Sequence, residues 1–374
     1  MMRVIPVLFC VLIGIASAGV VLPAGVLFAA PPEEKLPELS KPKLHREETA
    51  LEKAVNRAAA MLLQGKLPAS EDGVRFALWL HGDKGDVAYL DIATKMAREL
   101  VKIDPIMGTA ALYWVAQAGG PTLEEARANE NKANRHASND FVWIAGVAAK
   151  REQTAWGGRA AIVYDPERGQ KSMVALTTHL RVLTEFGQFF AGRYEEPQTA
   201  KELLERFWDA KKGQFLDADG SNQLIHHDNA QTALMVWGTG FLFQDAGLRE
   251  VGLKAIEKDL ETALQDSNAT AIAGLAAARL SRHPVQIAII GDPRDSKITA
   301  LRQAAYFLFE PNKVILNLDP KTDAARMAKL MYPPEAAPAM FVCVETLCSP
   351  PIKDPAELEK EVAEIKKLAA EVQQ

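Results

Sequence analysis

The chain is short of the residues that several common chemistries require. It has three cysteines, Cys10, Cys343 and Cys348, and no Cys-x-x-Cys of the thioredoxin type, which would need two intervening residues at a helix N-terminus. Gly-x-Gly-x-x-Gly and Walker-type loops are absent as well, so no nucleotide cofactor is indicated, and no other cofactor is expected. Positive charge is not in excess: 43 Lys and Arg stand against 48 Asp and Glu, a net charge of −5. The two signs are interspersed, whereas a phosphate backbone calls for clustered cations, so nucleic acid is not an expected partner. There is no fixed-period repeat. "DADGSN" has the look of a calcium loop but lacks the rest of the ligand pattern, and no metal is expected.

The remaining composition is that of a globular chain. Hydrophobic content of 48% and charged content of 24% over 374 residues suffice for one large domain with a smaller one attached. The N-terminus carries Arg3 and then no charge until Glu33. Two readings compete for residues 1–30: a cleaved signal peptide with a small-residue site such as Ala16-Ser17-Ala18, and a retained anchor, since about 20 apolar residues cross a bilayer. Pro6 and Pro23 interrupt the helix and favour cleavage; the apolar sequence beyond Ala18 favours an anchor. Either one exports the rest of the chain to a periplasmic or extracellular setting, with membrane contact limited to this segment. Phe9 before Cys10 argues against lipoprotein attachment. Residues 31–43, "PPEEKLPELSKPK", are a Pro- and charge-rich linker.

From residue 44 to 282 the periodicity is helical. In "TAKELLERFWDAKKG", Thr199 is placed to cap, Leu203, Leu204, Phe207 and Trp208 share a face, and Gly213 terminates. Met173, Leu176, Leu180, Leu183 and Phe190 form another stripe. About eight or nine helices separated by short loops predict antiparallel helical hairpins. Residues 151–173 interrupt them with paired glycines and an Asp165-Pro166 turn. The pattern changes at His283-Pro284. Val285–Ile290 reads as a strand, Ser296–Phe309 as a helix, Val314–Leu318 and "APAMFVCVE" as further strands. A closing amphipathic helix carries Leu358, Val362, Ile365, Ala369 and Val372. The first two strands, separated by a helix, should be parallel neighbours. The fold class is therefore mainly α, followed by a small α/β unit over 283–374.

"LTEFGQFFAGRYEEPQTAKELLERFWDAKKGQFLDADG", "HDNAQTALMVWGTGFLF", "VQIAIIGDPRDSKITALRQAAYFLFEPNKVILN" and "MFVCVETLCSPPIKDPAEL" together cover roughly residues 175–365. In order and spacing they resemble the thioredoxin-domain-containing family related to the spermatogenesis-associated proteins. That resemblance implies an (α/α) toroid similar to N-acylglucosamine 2-epimerases and six-hairpin glycosidases, followed by a small α/β tail. The Cys-x4-Cys, the proline soon after it and the Asp-Pro before the last helix match the tail. The thioredoxin-like domain of the family is missing, and the helices are too few for a complete ring, so an incomplete toroid is expected.

Each candidate for chemistry has a plainer alternative. Cys343 and Cys348 would lie about 16 Å apart in extended chain, so a disulfide requires "VETL" to fold back between them. In an oxidising compartment a structural disulfide is the leading reading, with buried free thiols or a redox pair as alternatives. A zinc site would need two further ligands, and the nearest histidine in sequence is His283. Sugar hydrolysis needs two carboxylates across the scissile bond; the candidates are Asp217, Asp219 and Asp228, with Asp140 more remote. Phe215 and Trp237 are candidates for stacking on a sugar ring. Asp228-Asn229 equally suits the start of a helix, where capping is the simpler role. His226 and His227, being adjacent, project in different directions and are poorly placed for joint ligation. Gly291 at a strand end is a weak ligand-site signal, and Asn268-Ala269-Thr270 is a formal glycosylation sequon. The leading functional expectation is an exported binding or accessory protein whose partner is carbohydrate or another exported protein. The alternatives are a sugar-acting, epimerase- or glycosidase-like enzyme and a thiol–disulfide protein.

Overall fold

The computed structural model describes residues 48–136, 173, 176–177, 180–181, 198–216 and 225–372. The leader, the linker and residues 151–172 of the interruption lie outside that set. Met1–Glu47 and Glu48–Gln374 divide as two separate units. Among the described residues no helix is long and apolar enough to cross a membrane.

The second unit begins with helices whose boundaries follow from their end residues. Helix α1 (Ala50–Leu63) opens on a capping box, in which the Thr49 hydroxyl accepts from the Glu52 N–H and the Glu52 carboxylate accepts in return. Ser70 caps α2 (Glu71–Lys84) by accepting from Gly73 N. Helices α3 (Val87–Ile103) and α4 (Pro105–Gln117) share Asp104, which ends the first and caps the second, with Pro105 at the first helical position where its missing N–H costs nothing. Helix α5 (Leu123–His136) follows. Met173, Leu176 and Leu180 are helical and buried, as the stripe predicts.

Helix α6 (Gln198–Phe207) is shorter than its periodicity suggests. Trp208 and Asp209 leave it as strand β1, pairing antiparallel with β2 (Gln214–Phe215). Local chemistry explains the difference. The Asp209 carboxylate accepts from the N–H groups of Lys211 and Lys212, and Gly213 takes a φ of 70°, so a tight turn outcompetes another helical turn. Helices α7 (His226–Leu242), α8 (Ala246–Ala263) and α9 (Thr270–Leu280) complete the helical part. Thr270 through Ala278 of α9 are buried without exception, because α9 packs against α1, α2, α7 and α8; a helix surrounded in this way needs small apolar residues on all sides.

Strands β3 (Val285–Ile290) and β4 (Lys313–Leu318) flank helix α10 (Ser296–Phe307) and are parallel, as expected for a crossover. After the short helix α11 (Ala324–Leu330), which the sequence did not announce, β5 (Ala339–Val344) pairs antiparallel with β3, and β6 (Leu347–Cys348) with β5. The sheet order is β4-β3-β5-β6. Helix α12 (Leu358–Val372) buries Leu358, Val362, Ile365 and Ala369 with α10 on one face of this sheet, while Val372 is exposed. The other face packs Ala288, Ile290, Leu316 and Phe341 against α11 and Leu242 of α7. The molecule is thus mainly helical with a small mixed sheet near its C-terminus.

Cys343 and Cys348 are joined by a disulfide, with Cα atoms 4.1 Å apart. They face each other directly in the β5–β6 register, and Glu345, at φ 53°, starts the reversal. "VETL" does fold back. Ser349 N donates to Val342 O one step away, so the cysteines occupy the close, non-hydrogen-bonded type of pair that a short bridge requires. A loop this short gives a chain-entropy stabilisation of about 2 kcal/mol. Cys348→Ser is therefore expected to lower stability by about 2 kcal/mol, read as a lower urea midpoint. Reductant should lower the midpoint of the parent and leave the variant unmoved; equal midpoints would mean the bridge contributes nothing.

Candidate functional site

Among the described residues two clusters of chemistry-bearing side chains emerge, and they differ in what they can do. The first lies at the start of α7. Its N-cap, Ile225, makes no side-chain cap bond, and Asp228 lies in the first turn. The capping role expected for Asp228 and Asn229 is therefore not what they perform. Asn229 Oδ1 accepts from Phe215 N at 2.8 Å, and its amide donates to Asp259 Oδ2 at 3.1 Å. Asp259 also holds His226 Nδ1 at 2.7 Å. This group ties α7 to β2 and α8.

His227 points elsewhere, as expected for adjacent histidines. Its Nε2 lies 3.0 Å from Asp72 Oδ2 of α2, and its Nδ1 lies 3.0 Å from Asp228 Oδ1. With a carboxylate at each ring nitrogen the doubly protonated ring is strongly favoured. The hydrogen bonds to Asp228 and Asp72 raise its pKa to about 10, against the opposing effect of burial. Burial works to raise the Asp72 pKa, but the hydrogen bond and charge of His227, with Arg75 and Arg181, prevail and lower it. Glu71, the neighbour of Asp72, accepts from Arg181 through both oxygens and from Arg75 at 3.4 Å. The result is a charge-matched clamp joining α2, α7 and Arg181. The imidazole occupies the space between Asp72 and Asp228, so these two carboxylates cannot sit on either side of a glycosidic bond.

The second cluster surrounds a cavity of about 220 Å³ between the helices and the α/β part. Trp79, Trp114, Trp237, Tyr306 and Phe309 supply aromatic surface, and Arg75, Arg279, Lys313 and Glu310 supply charge. Trp237 stands edge-on to Phe241 at 4.6 Å, and the Arg75 guanidinium lies 5.8 Å from the Trp114 ring centre. Lys313 opens edge strand β4. Its stem is half-buried, but its ammonium end is enclosed, donating to Tyr306 O and Leu308 O at the end of α10. Burial pushes its pKa down to about 7, against the pull of the Glu310 charge. Glu310 is 8% exposed and accepts from Lys366 Nζ at 2.6 Å and Asn312 N at 3.1 Å. The Trp79 indole N–H, on a side chain 3% exposed, meets no acceptor among the described residues. A Cβ added at Gly238 would meet nothing within 4 Å.

The sequence candidates divide accordingly. Trp237 lines the cavity. Phe215 is fully buried, its ring 5.1 Å from Trp208, so it offers no face to a ligand. Asp228 is engaged by His227, and Asp217, Asp219 and Asp140 lie outside the described residues. Among the described residues no group of three or more His, Cys, Asp or Glu is placed to hold a metal. Trp79, Trp114, Arg75, Arg279 and Lys313 were not singled out from sequence; the one local signal was "FALWLHG", a tryptophan inside an otherwise ordinary apolar helix. No protein-family model and no curated protein matches the chain.

Proposed function

We propose that this is an exported binding or accessory protein that holds a small ring-shaped ligand, with carbohydrate as the expected class, in the cavity bordered by Trp79, Trp114 and Trp237. The cavity is the observation that carries this reading: the half-buried Trp114, Tyr306 and Phe309 supply aromatic surface at its border, and a few convergent polar groups supply orientation. The apolar leader, uncharged from Val4 to Pro32, and the disulfide support export. The quoted resemblance supports kinship with the thioredoxin-domain-containing, spermatogenesis-associated protein-like family and an incomplete (α/α) toroid arrangement of the helical hairpins. A sugar-acting enzyme has less support, since Asp228 is engaged by His227. A thiol–disulfide role also has less support, since Cys343 is 4% exposed and leaves a strand rather than entering a helix.

Gly238 provides the test, because a side chain there extends into open space rather than into packed atoms. Calorimetric titration with D-glucose, N-acetylglucosamine and D-glucuronate should show at least one sugar binding the parent protein. Gly238→Leu should weaken that binding at least tenfold while the melting temperature holds. Binding of no sugar, or equal binding to the filled variant, would refute the carbohydrate reading of this cavity.

A further inference from the structure

The two ends of the Cys343–Cys348 bridge are unequal. Cys343 is 4% exposed and packs with Ala288, Phe341 and Tyr332 on the sheet face that meets α11. Cys348, on the two-residue edge strand β6, is exposed. Thiol–disulfide exchange begins when a thiolate reaches one sulfur in line with the S–S bond, from the side opposite the sulfur that leaves, so access decides which sulfur is attacked. A thiolate arriving from solvent has a path to Cys348, whereas a path to Cys343 would run through packed side chains. Attack at Cys348 makes Cys343 the leaving group.

A buried leaving thiolate needs a donor, because apolar surroundings raise a thiol's pKa and slow its departure. Tyr332 supplies one. Its hydroxyl lies 3.5 Å from Cys343 Sγ, and a bridged sulfur carries no proton, so the hydroxyl donates. Gln286 Nε2 in turn donates to Tyr332 Oη at 2.6 Å, which leaves the O–H for the sulfur. Tyr332 is 7% exposed, and burial raises its pKa against the opposing effect of the Gln286 bond, so the hydroxyl keeps its proton. A hydrogen bond to the charged form favours that form, and this one sits where charge appears as the bridge opens.

We infer that the bridge is an exchange site for an external thiol, with Cys348 as the point of attack and Tyr332 as the donor to the departing Cys343. The thiolate bonds to Cys348 Sγ, the S–S bond breaks, and its electron pair stays on Cys343 Sγ. The product is a mixed disulfide on Cys348 with Cys343 as thiolate. Where the reagent is a dithiol, its second thiolate attacks its own first sulfur and releases Cys348. The dithiol is then oxidised to a disulfide, its two electrons reduce the bridge, and the two cysteine thiolates take their protons from water. The inference is independent of the sugar-binding reading, and it makes Cys343–Cys348 a bridge that is acted on rather than a catalyst.

Reduced glutathione maps the attack on the full, folded chain. After brief exposure, acid quench and alkylation in denaturant, peptide mass spectrometry should find glutathione on Cys348 in at least about tenfold excess over Cys343, with the alkyl label on Cys343. Tyr332→Phe keeps the ring against Phe341 and deletes the hydroxyl. It should slow reduction by dithiothreitol roughly tenfold, as loss of a hydrogen bond to a charged acceptor requires. A hydroxyl with a structural role alone would act in the opposite sense, since a loosened hairpin exposes its bridge and speeds reduction. The mapping needs only the parent protein, so it decides the point of attack even if the variant fails to fold. Glutathione on Cys343, or shared equally, overturns the assignment of Cys348. Reduction of Tyr332→Phe at the parent rate or faster overturns the role of Tyr332. A bridge that resists both reagents until the protein unfolds overturns the inference entirely.

Discussion

His227→Ala is expected to lower the unfolding free energy by about 3 kcal/mol. Removing one partner of a buried pair strands the other charge, a loss of about 3–5 kcal/mol for fully enclosed pairs. The lower end applies because the imidazole is 34% exposed, so solvent screens part of the interaction. The stranded group is Asp72, 7% exposed and held ionised in part by the histidine it has lost. The effect depends on pH in a defined direction. The folded pKa of His227, about 10, lies above its ordinary 6.5, so its stabilisation is complete below about pH 6.5 and fades as pH rises towards 10. Asp72 shifts below its ordinary 3.8, so its contribution is present above that value and is lost as pH falls further. Urea unfolding at pH 5.5 and pH 9.5 should show a large gap between parent and His227→Ala at the lower pH and a smaller one at the higher. A gap that is constant with pH would mean the clamp acts through packing alone.

Gly108→Ala should produce a loss of similar size for an unrelated reason. Helices α3 and α4 share Asp104 and turn back on each other at once. A Cβ on Gly108 would lie 2.2 Å from the Val101 backbone N and 2.3 Å from its Cα. Those are main-chain atoms of a helix, with no rotamer by which to yield, so the helices must separate. Overpacking typically costs about 1–3 kcal/mol, and a backbone clash at this range belongs at or above the top of that interval. Gly238→Ala is the internal control: with nothing nearby, it should stabilise the helix by about 0.4–1 kcal/mol. Equal midpoints for the two variants would show that the α3–α4 approach is looser than described.

The sequence made local structure legible and left distant assembly hidden. β3 falls on the predicted Val285–Ile290, since a short β-branched run between His283-Pro284 and Gly291 has few alternatives. The reversal between Cys343 and Cys348 followed from chain reach once the two were read as a disulfide. The β1–β2 turn was missed because Trp208 continues a helical stripe, and periodicity carries no information about a competing turn built by Asp209. The clamp was beyond sequence reasoning in a different way: His227 and Asp72 are 155 positions apart. The cavity gathers side chains from α2, α4, α7, α9 and the α10–β4 connection. Trp237 could be nominated as an aromatic on its own, but which basic residues it would meet depends on how α7 packs.

The bridged hairpin also bears on how the sheet ends. β5 is fully buried and apolar; left uncovered, its outer side would be a template for strands from other chains. β6 covers it for two residues, and the chain then returns so that Ile352 exchanges backbone hydrogen bonds with Met340 in both directions. Between them come Pro350 and Pro351, neither of which has an N–H to offer a newcomer. The outermost segment is thus too short and too poor in donors to propagate the sheet. Cys343–Cys348 holds the first part of that cover in register. On this view the bridge guards against self-association at the β6 edge: an oxidising environment keeps that edge closed to other molecules, and the same chain in a reducing one would hold it less securely.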